Sequence, residues 1–121
     1  MSPLLYHYSC DHGARGIRAD GGLRGNVHPL LTEVGRIIWL TDMDVPDRLA
    51  LGLTSNLIRC DRTAHRFTVQ TELARHWPSA ARELCGPAAR RELDMSYGAR
   101  PMHWWVVVTE DVLPLGERGG A

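Results

Sequence analysis

The alternation of apolar and polar positions along the chain predicts short strands separated by short helices. The apolar and aromatic run over residues 4–8 predicts a first, buried strand, because glycines follow too soon for a long helix. A short helix then extends to Ala19, with Ser9 or Asp11 as its cap, and the glycine pair that follows supplies a left-handed ending. The first 22 residues therefore predict a strand followed by a helix.

The remainder of the chain predicts three more strands and two helical regions. Residues 36–41 are β-branched and aromatic, which is typical of a central strand. Residues 46–53 carry a first-turn proline and an apolar helical face, and residues 72–93 predict two or three helical pieces interrupted by prolines. Residues 65–70 and 104–109 read as strands. This irregular order favours an α+β fold with a split or antiparallel sheet and short flanking helices.

Composition predicts one globular domain. The chain has 121 residues, of which 44% are hydrophobic and 23% charged, and these values exclude a disordered or fibrous protein. Residues 1–115 are expected to form the domain. Residues 116–121 lack an apolar anchor and are expected to be a flexible tail.

Charge and cysteine usage narrow the classes of function. The 14 basic and 14 acidic residues give a formal net charge of zero. The chain therefore lacks the excess of positive charge that is typical of proteins that bind nucleic acid or an anionic membrane. All basic residues are arginine, which removes Schiff-base and phosphate-loop lysines. Three widely spaced cysteines do not predict a disulfide framework. With no apolar run of about 20 residues, we expect a cytoplasmic protein with no membrane partner.

Two histidines on predicted strands are the first candidates for chemistry. His7 lies in the first strand and His103 directly precedes the last long one. An imidazole buried without a partner is costly, so each ring needs either a structural hydrogen bond or a functional role.

Three segments of the chain resemble the motifs of a known enzyme superfamily. The run Tyr6-His7-Tyr8-Ser9, the strand ending Trp39-Leu40-Thr41-Asp42, and the late apolar strand occur in the order found in ADP-ribosyltransferases of the diphtheria-toxin and poly(ADP-ribose) polymerase type. Small relatives include tRNA 2′-phosphotransferases and DNA-modifying enzymes. The third motif of that superfamily is a glutamate before the last apolar strand, whereas this chain has Met102 and His103 there.

The resemblance implies NAD⁺ as the substrate. Cleavage of its nicotinamide bond passes through a sugar cation, so a site must hold the ribose hydroxyls and cover the nicotinamide ring. By resemblance, His7 hydrogen-bonds a ribose hydroxyl, the main chain of Tyr8 binds the carboxamide, and Ser9 adds a hydroxyl contact. Trp39 would stack on the cationic ring, because an indole face is a good partner for a cation.

The same resemblance assigns the remaining site residues. Arg18 and Arg24 would bind the pyrophosphate through their guanidinium groups. His103 would orient a ribose hydroxyl or act as a general base. Neither Glu72 nor Glu110 aligns with the missing glutamate, so polymer formation is not expected. The implied activity is transfer of ADP-ribose to a protein or nucleic-acid acceptor, in a toxin-like protein of a bacterial or phage cytosol. A phosphate acceptor and an inactive NAD⁺-binding domain stay open.

Two alternatives come from other classes of protein. One is a non-catalytic interaction domain in which the tryptophans are only core or interface residues. The other is a small zinc module, since four histidine or cysteine donors are needed and five candidates occur. Those candidates are His7, Cys10, His12, Cys60 and His65. Their spacing contains no paired-cysteine knuckle, so we predict no metal site.

Overall fold

The computed structural model describes residues 2–45, 63–95 and 98–115. Within these ranges the elements are β1 (Leu5–Ser9), α1 (Asp11–Asp20), β2 (Gly22–Leu23), β3 (Asn26–Val27), β4 (Arg36–Thr41), β5 (His65–Val69), β6 (Arg75–His76), α2 (Trp77–Leu84), α3 (Pro87–Asp94), β7 (Trp104–Val108) and β8 (Leu113–Pro114). A turn of 3-10 helix over Pro101–His103 leads into β7. The predicted helix over 46–53 and the predicted tail over 116–121 lie outside the described residues.

An antiparallel sheet organises the described part of the chain, which confirms the α+β class. Its strands follow the order β5-β1-β4-β7-β6, with β3 paired to the outer end of β4, and β2 and β8 form a separate pair. All these pairings are antiparallel. Strand β1 pairs with β5 over five residues but meets β4 at the single pair Tyr6–Thr41. The β1–β4 seam is therefore the least complete ladder at the centre of the sheet.

Alternation of side chains divides the core between two faces of the sheet. Helix α1 covers one face, here called the α1 face, with core residues Leu5, Ala14, Ile17, Ile38, Leu40, Phe67, Val69 and Val107. Helix α2 covers the other, here called the α2 face, with core residues Leu31, Ile37, Trp77, Ala80, Ala81, Trp104 and Val106. Each residue of a strand is consequently assigned to one face by its register.

Helix α1 forms where the sequence predicts it, with a different residue at its cap. Cys10, rather than Ser9 or Asp11, is the N-cap, and its Sγ accepts from the Gly13 N–H at 3.5 Å. A β-carbon at Gly13 would collide with Ser9 Oγ, so any other residue there would force the Ser9 side chain to rotate away from the start of the helix. Gly21 ends the helix with φ of 76°, a conformation that glycine adopts without strain.

The region predicted as broken helices divides into one edge strand and two helices. Glu72 lies in a turn, and residues 75–76 pair with β7 before α2 begins. Both α2 and α3 carry a proline in the first turn, where the missing N–H costs no helical hydrogen bond. The strands predicted over residues 65–70 and 104–109 are observed, but each ends one residue earlier than predicted. The strand predicted over residues 36–41 has the predicted bounds.

Candidate functional site

His7 is anchored to the main chain of the neighbouring strand. Its Nδ1–H donates to the carbonyl oxygen of Trp39 at 2.9 Å, across the seam where β1 and β4 pair at one position only. A carbonyl oxygen can only accept, so this bond fixes the proton on Nδ1 and makes Nε2 an acceptor in the neutral ring. Within the described ranges, Nε2 has no hydrogen-bond partner. The ring is thus prepared to accept from a hydroxyl group.

Burial keeps the His7 ring neutral. Desolvation lowers the pKa of His7 below its usual value of 6.5, and the hydrogen bond to Trp39 opposes this shift without cancelling it. Partial burial lowers the pKa of His28 as well, again through desolvation. A neutral His7 is the form that accepts a hydrogen bond at Nε2.

The lowered pKa of His7 predicts a loss of stability in acid. Because the folded pKa lies below the unfolded one, the unfolded chain binds more protons, so the free energy of unfolding falls as pH drops through about 6.5. One proton corresponds to at most about 1.4 kcal/mol per pH unit. Urea unfolding between pH 8 and pH 5 should show this slope, and His7→Asn, which retains an N–H for the Trp39 carbonyl, should show a smaller one. The His28 contribution remains in that variant, and equal slopes for both proteins would contradict the prediction.

Trp39 does not share a face with His7. Tyr6 is opposite Thr41, so the alternation of each strand places His7 on the α1 face and Trp39 on the α2 face. The indole packs at 5.0 Å from Trp77 and 6.0 Å from Trp104, measured between ring centroids. The structure therefore separates the two residues that the resemblance places around one nicotinamide ring, and the Trp39 indole belongs to an aromatic core.

The other residues of the first motif lie beside His7 in the strand. The Tyr8 side chain lies on the α2 face, with its hydroxyl 2.7 Å from the carbonyl oxygens of Met43 and Asp44. Ser9 lies on the α1 face, opposite His65, and contacts the start of α1. The role predicted for Tyr8 is binding of the carboxamide by its main chain. The position of the phenol ring does not test that prediction.

The two predicted pyrophosphate ligands differ in position. The Arg18 guanidinium lies 5.7 Å above the ring of Phe67, the residue directly opposite His7 in the β1–β5 ladder. Arg18 is therefore an exposed cation on the His7 face. Arg24 lies in the loop after β2, and its Nε forms an ion pair with Asp20 at 3.0 Å. The structure thus brings Arg18 beside the residue opposite His7, whereas Arg24 is engaged by Asp20.

His103 belongs to a hydrogen-bonded cluster that includes one residue given no role in the sequence analysis. Its Nδ1 lies 2.7 Å from Oδ1 of Asp42, and the other carboxylate oxygen accepts from Trp105 Nε1 at 3.1 Å. In the sequence, Asp42 marks the end of the Trp39-Leu40-Thr41-Asp42 run. The signal that could have revealed it is the register of β4 and β7, which pairs Thr41 with Trp104 and brings Asp42 beside His103.

Two further residues from the sequence analysis have ordinary surface roles. Glu110 accepts from the main-chain N–H of Arg36 at 3.1 Å and is mostly exposed. His65 pairs with Asp11, whose side chain is 83% exposed. Ion pairs of this type contribute little to stability.

Metal-binding geometry is not found in the described ranges. Within residues 2–45, 63–95 and 98–115, no three histidine, cysteine or acidic side chains are grouped to hold a metal ion. Cys60, a member of the zinc alternative, lies outside those residues. The helices of the same ranges are also too short and too polar for a membrane span.

Comparisons with known proteins find no match to this chain. No protein-family model, curated protein or solved structure matches the chain.

Proposed function

We propose that this chain binds NAD⁺ and transfers its ADP-ribosyl group to an acceptor, with the site on the α1 face of the sheet. The observation that carries the proposal is the His7 ring, which is held by the Trp39 carbonyl and whose Nε2 has no partner among the residues that the structure describes. The resemblance of the Tyr6-His7-Tyr8-Ser9 run to the first motif of ADP-ribosyltransferases supplies the substrate.

A neutral imidazole acceptor suits the chemistry of glycosidic cleavage. When the bond between C1′ of the ribose and nicotinamide breaks, both electrons leave with nicotinamide and positive charge develops on the sugar. A hydroxyl of that ribose becomes more acidic as the charge develops, so a hydrogen bond to Nε2 of His7 strengthens in the transition state. The lowered pKa keeps Nε2 unprotonated for this purpose at neutral pH.

Other features of the α1 face are compatible with a dinucleotide. Arg18 presents a guanidinium beside the row that contains His7, and guanidinium groups bind diphosphates through paired hydrogen bonds. The single-pair contact between β1 and β4 is compatible with the split sheet of the superfamily. Trp39 has no part in this proposal, because its ring lies on the opposite face.

The test measures both binding and cleavage of NAD⁺. A ligand that binds only the folded chain at 100 times its Kd stabilises it by about 2.7 kcal/mol, so NAD⁺ should raise the melting temperature. Nicotinamide release from NAD⁺ should be measurable in the same samples. In His7→Asn the anchor to Trp39 is retained but no acceptor remains at the position of Nε2, and we expect release to fall about 10- to 100-fold, since a hydrogen bond to a charged group contributes about 1.5–3 kcal/mol.

The matched control is His28→Asn, which alters a half-buried histidine on the opposite face. The His28 Nδ1 accepts from the main-chain N–H of Leu30, and its ring meets Trp39 edge-on at 6.1 Å. Release by this variant should equal that of the wild type. A wild-type protein that neither responds to NAD⁺ nor releases nicotinamide would overturn the proposed function, as would equal release by His7→Asn.

A further inference from the structure

The strongest unexplained feature outside His7 is the carboxylate–imidazole pair of Asp42 and His103. The Asp42 carboxylate accepts from His103 Nδ1 at 2.7 Å and from Trp105 Nε1 at 3.1 Å, so both of its oxygens are engaged. With the proton of the imidazole directed to Asp42, Nε2 of His103 is left as an acceptor. This is the arrangement in which a carboxylate orients a histidine to remove a proton.

The pair is held by a frame of neighbouring contacts. The Asp42 N–H donates to the main-chain oxygen of His103 at 3.3 Å, which continues the β4–β7 ladder past its last pair. His76 Nε2–H donates to the carbonyl oxygen of Met102 at 2.6 Å and so secures the 3-10 turn that carries His103. The His76 ring also packs against Trp105, with 4.9 Å between centroids.

This frame distinguishes the pair from a surface ion pair. The two imidazoles are equally exposed, at 29%, but the Asp11 carboxylate is 83% exposed, whereas the Asp42 carboxylate is 37% exposed and has both oxygens engaged. The Asp42–His103 pair is thus oriented and still partly exposed to solvent. An oriented base must be accessible if it is to reach a substrate.

Contact with Trp105 places the pair beside the face that carries His7. Leu40 is opposite Trp105, so both lie on the α1 face, and the carboxylate of Asp42, just past the end of β4, accepts from the indole N–H of Trp105. His7 follows Tyr6, whose partner is Thr41, and so also lies on the Leu40 side. His7 therefore lies on the face beside which the Asp42–His103 pair is held.

We propose that Asp42 and His103 form the general base that activates the acceptor of the ADP-ribosyl group. This inference rests on the proposed function and adds a chemical class for the acceptor. A base is needed only when the attacking atom carries a proton, so the acceptor is a neutral hydroxyl or N–H group, such as that of an alcohol, a sugar or a nucleobase. Carboxylates and phosphates are anions at neutral pH and attack without this assistance.

The proton and electron movements balance without a further reactant. The lone pair of the acceptor oxygen or nitrogen forms a bond to C1′ of the ribose, and the bond between C1′ and nicotinamide breaks with its electrons on nicotinamide. His103 Nε2 takes the acceptor proton and later returns it to solvent. His103 is the catalytic residue, and Asp42 and Trp105 are positioning residues that act through it.

The experiment uses the full chain, NAD⁺ as substrate and water as acceptor. We expect His103→Ala to lower nicotinamide release about 100- to 1000-fold, which is within the range for loss of a general base, while the NAD⁺-induced rise in melting temperature is retained. Asp42→Asn, which keeps the shape of the side chain, should lower release by a smaller factor. Trp105→Phe, which removes the indole N–H and leaves a smaller ring against His76, should lower it by less again.

Sodium azide distinguishes a base from a structural residue. Azide is a nucleophile without a proton, so it should raise nicotinamide release by His103→Ala and have little effect on the wild type. Glu110→Gln is the matched carboxylate control, because Glu110 is mostly exposed and pairs with Arg36. Its release should equal that of the wild type.

Each failure has a separate meaning. If the wild type neither binds NAD⁺ nor releases nicotinamide, both the proposed function and this inference are overturned. If the wild type is active and His103→Ala keeps its rate, only the inference is overturned. A slow His103→Ala that azide does not accelerate also overturns it, because the loss would then come from altered structure.

Discussion

Trp77→Ala is expected to lower the free energy of unfolding by about 3–5 kcal/mol, the range for truncating a fully buried large aromatic side chain. The Trp77 side chain is 0% exposed. Its ring lies 5.0 Å from that of Trp39 and 6.5 Å from that of Trp104. Its Nε1–H donates to Asp94 Oδ1 at 2.8 Å, which ties the start of α2 to the end of α3. Alanine would leave a cavity and remove this bond.

Trp77→Phe separates packing from the hydrogen bond. Phenylalanine keeps a large ring in the cluster but cannot donate to Asp94, so we expect a loss of about 1–2 kcal/mol from the hydrogen bond in addition to a reduced packing contribution. Urea unfolding followed by far-ultraviolet circular dichroism measures both variants without relying on tryptophan emission. A loss below about 1 kcal/mol in Trp77→Ala would show that the aromatic cluster is not the core of the α2 face.

Local signals predicted most of the described elements. The β-branched residues of β4 predict a strand with the bounds observed, because the pattern is dense and ends at a polar residue. The end of α1 follows from Gly21, since few other residues adopt its left-handed conformation. The prediction of Ser9 or Asp11 as the N-cap of the same helix is wrong, because Cys10 occupies that position. Serine and aspartate are common N-cap residues and cysteine is not, so the sequence favours its neighbours.

The relation between distant residues could not be predicted in the same way. Whether His7 and Trp39 share a face depends on the pairing of Tyr6 with Thr41, and a shift of one residue would reverse the answer. Register is fixed by packing on both faces and not by either strand alone. The same limit concealed the Asp42–His103 pair, whose members are 61 residues apart in the chain.

Sequence did predict that His7 and His103 needed partners. A histidine in a strand must satisfy its ring nitrogens, and both rings are bonded through Nδ1. The nature of each partner, a carbonyl in one case and a carboxylate in the other, comes only from the structure. That difference gives the two residues different chemistry, because a carbonyl holds a neutral acceptor while a carboxylate supports proton removal.

Trp39→Ala should act on stability and not on NAD⁺. Its indole is half-buried among Trp77, Trp104 and His28, so we expect the free energy of unfolding to fall by about 2–4 kcal/mol, somewhat less than for a fully buried tryptophan. The hydrogen bond from His7 goes to the main-chain oxygen of Trp39, which alanine retains. The site on the α1 face should therefore remain formed in the folded fraction of the variant.

The decisive readout is the rise in melting temperature caused by NAD⁺. For each variant, the rise is the difference between its melting temperatures with and without NAD⁺. Trp39→Ala should melt at a lower temperature but show the same NAD⁺-induced rise as the wild type, and Trp39→Phe should recover part of the stability through its ring. His7→Asn should show the reverse pattern. Its NAD⁺-induced rise in melting temperature should be smaller than that of the wild type, and its loss of stability should be smaller than that of Trp39→Ala. If Trp39→Ala were as stable as the wild type yet no longer responded to NAD⁺, the indole would be a ligand-stacking residue, and the assignment of the site to the α1 face would be wrong.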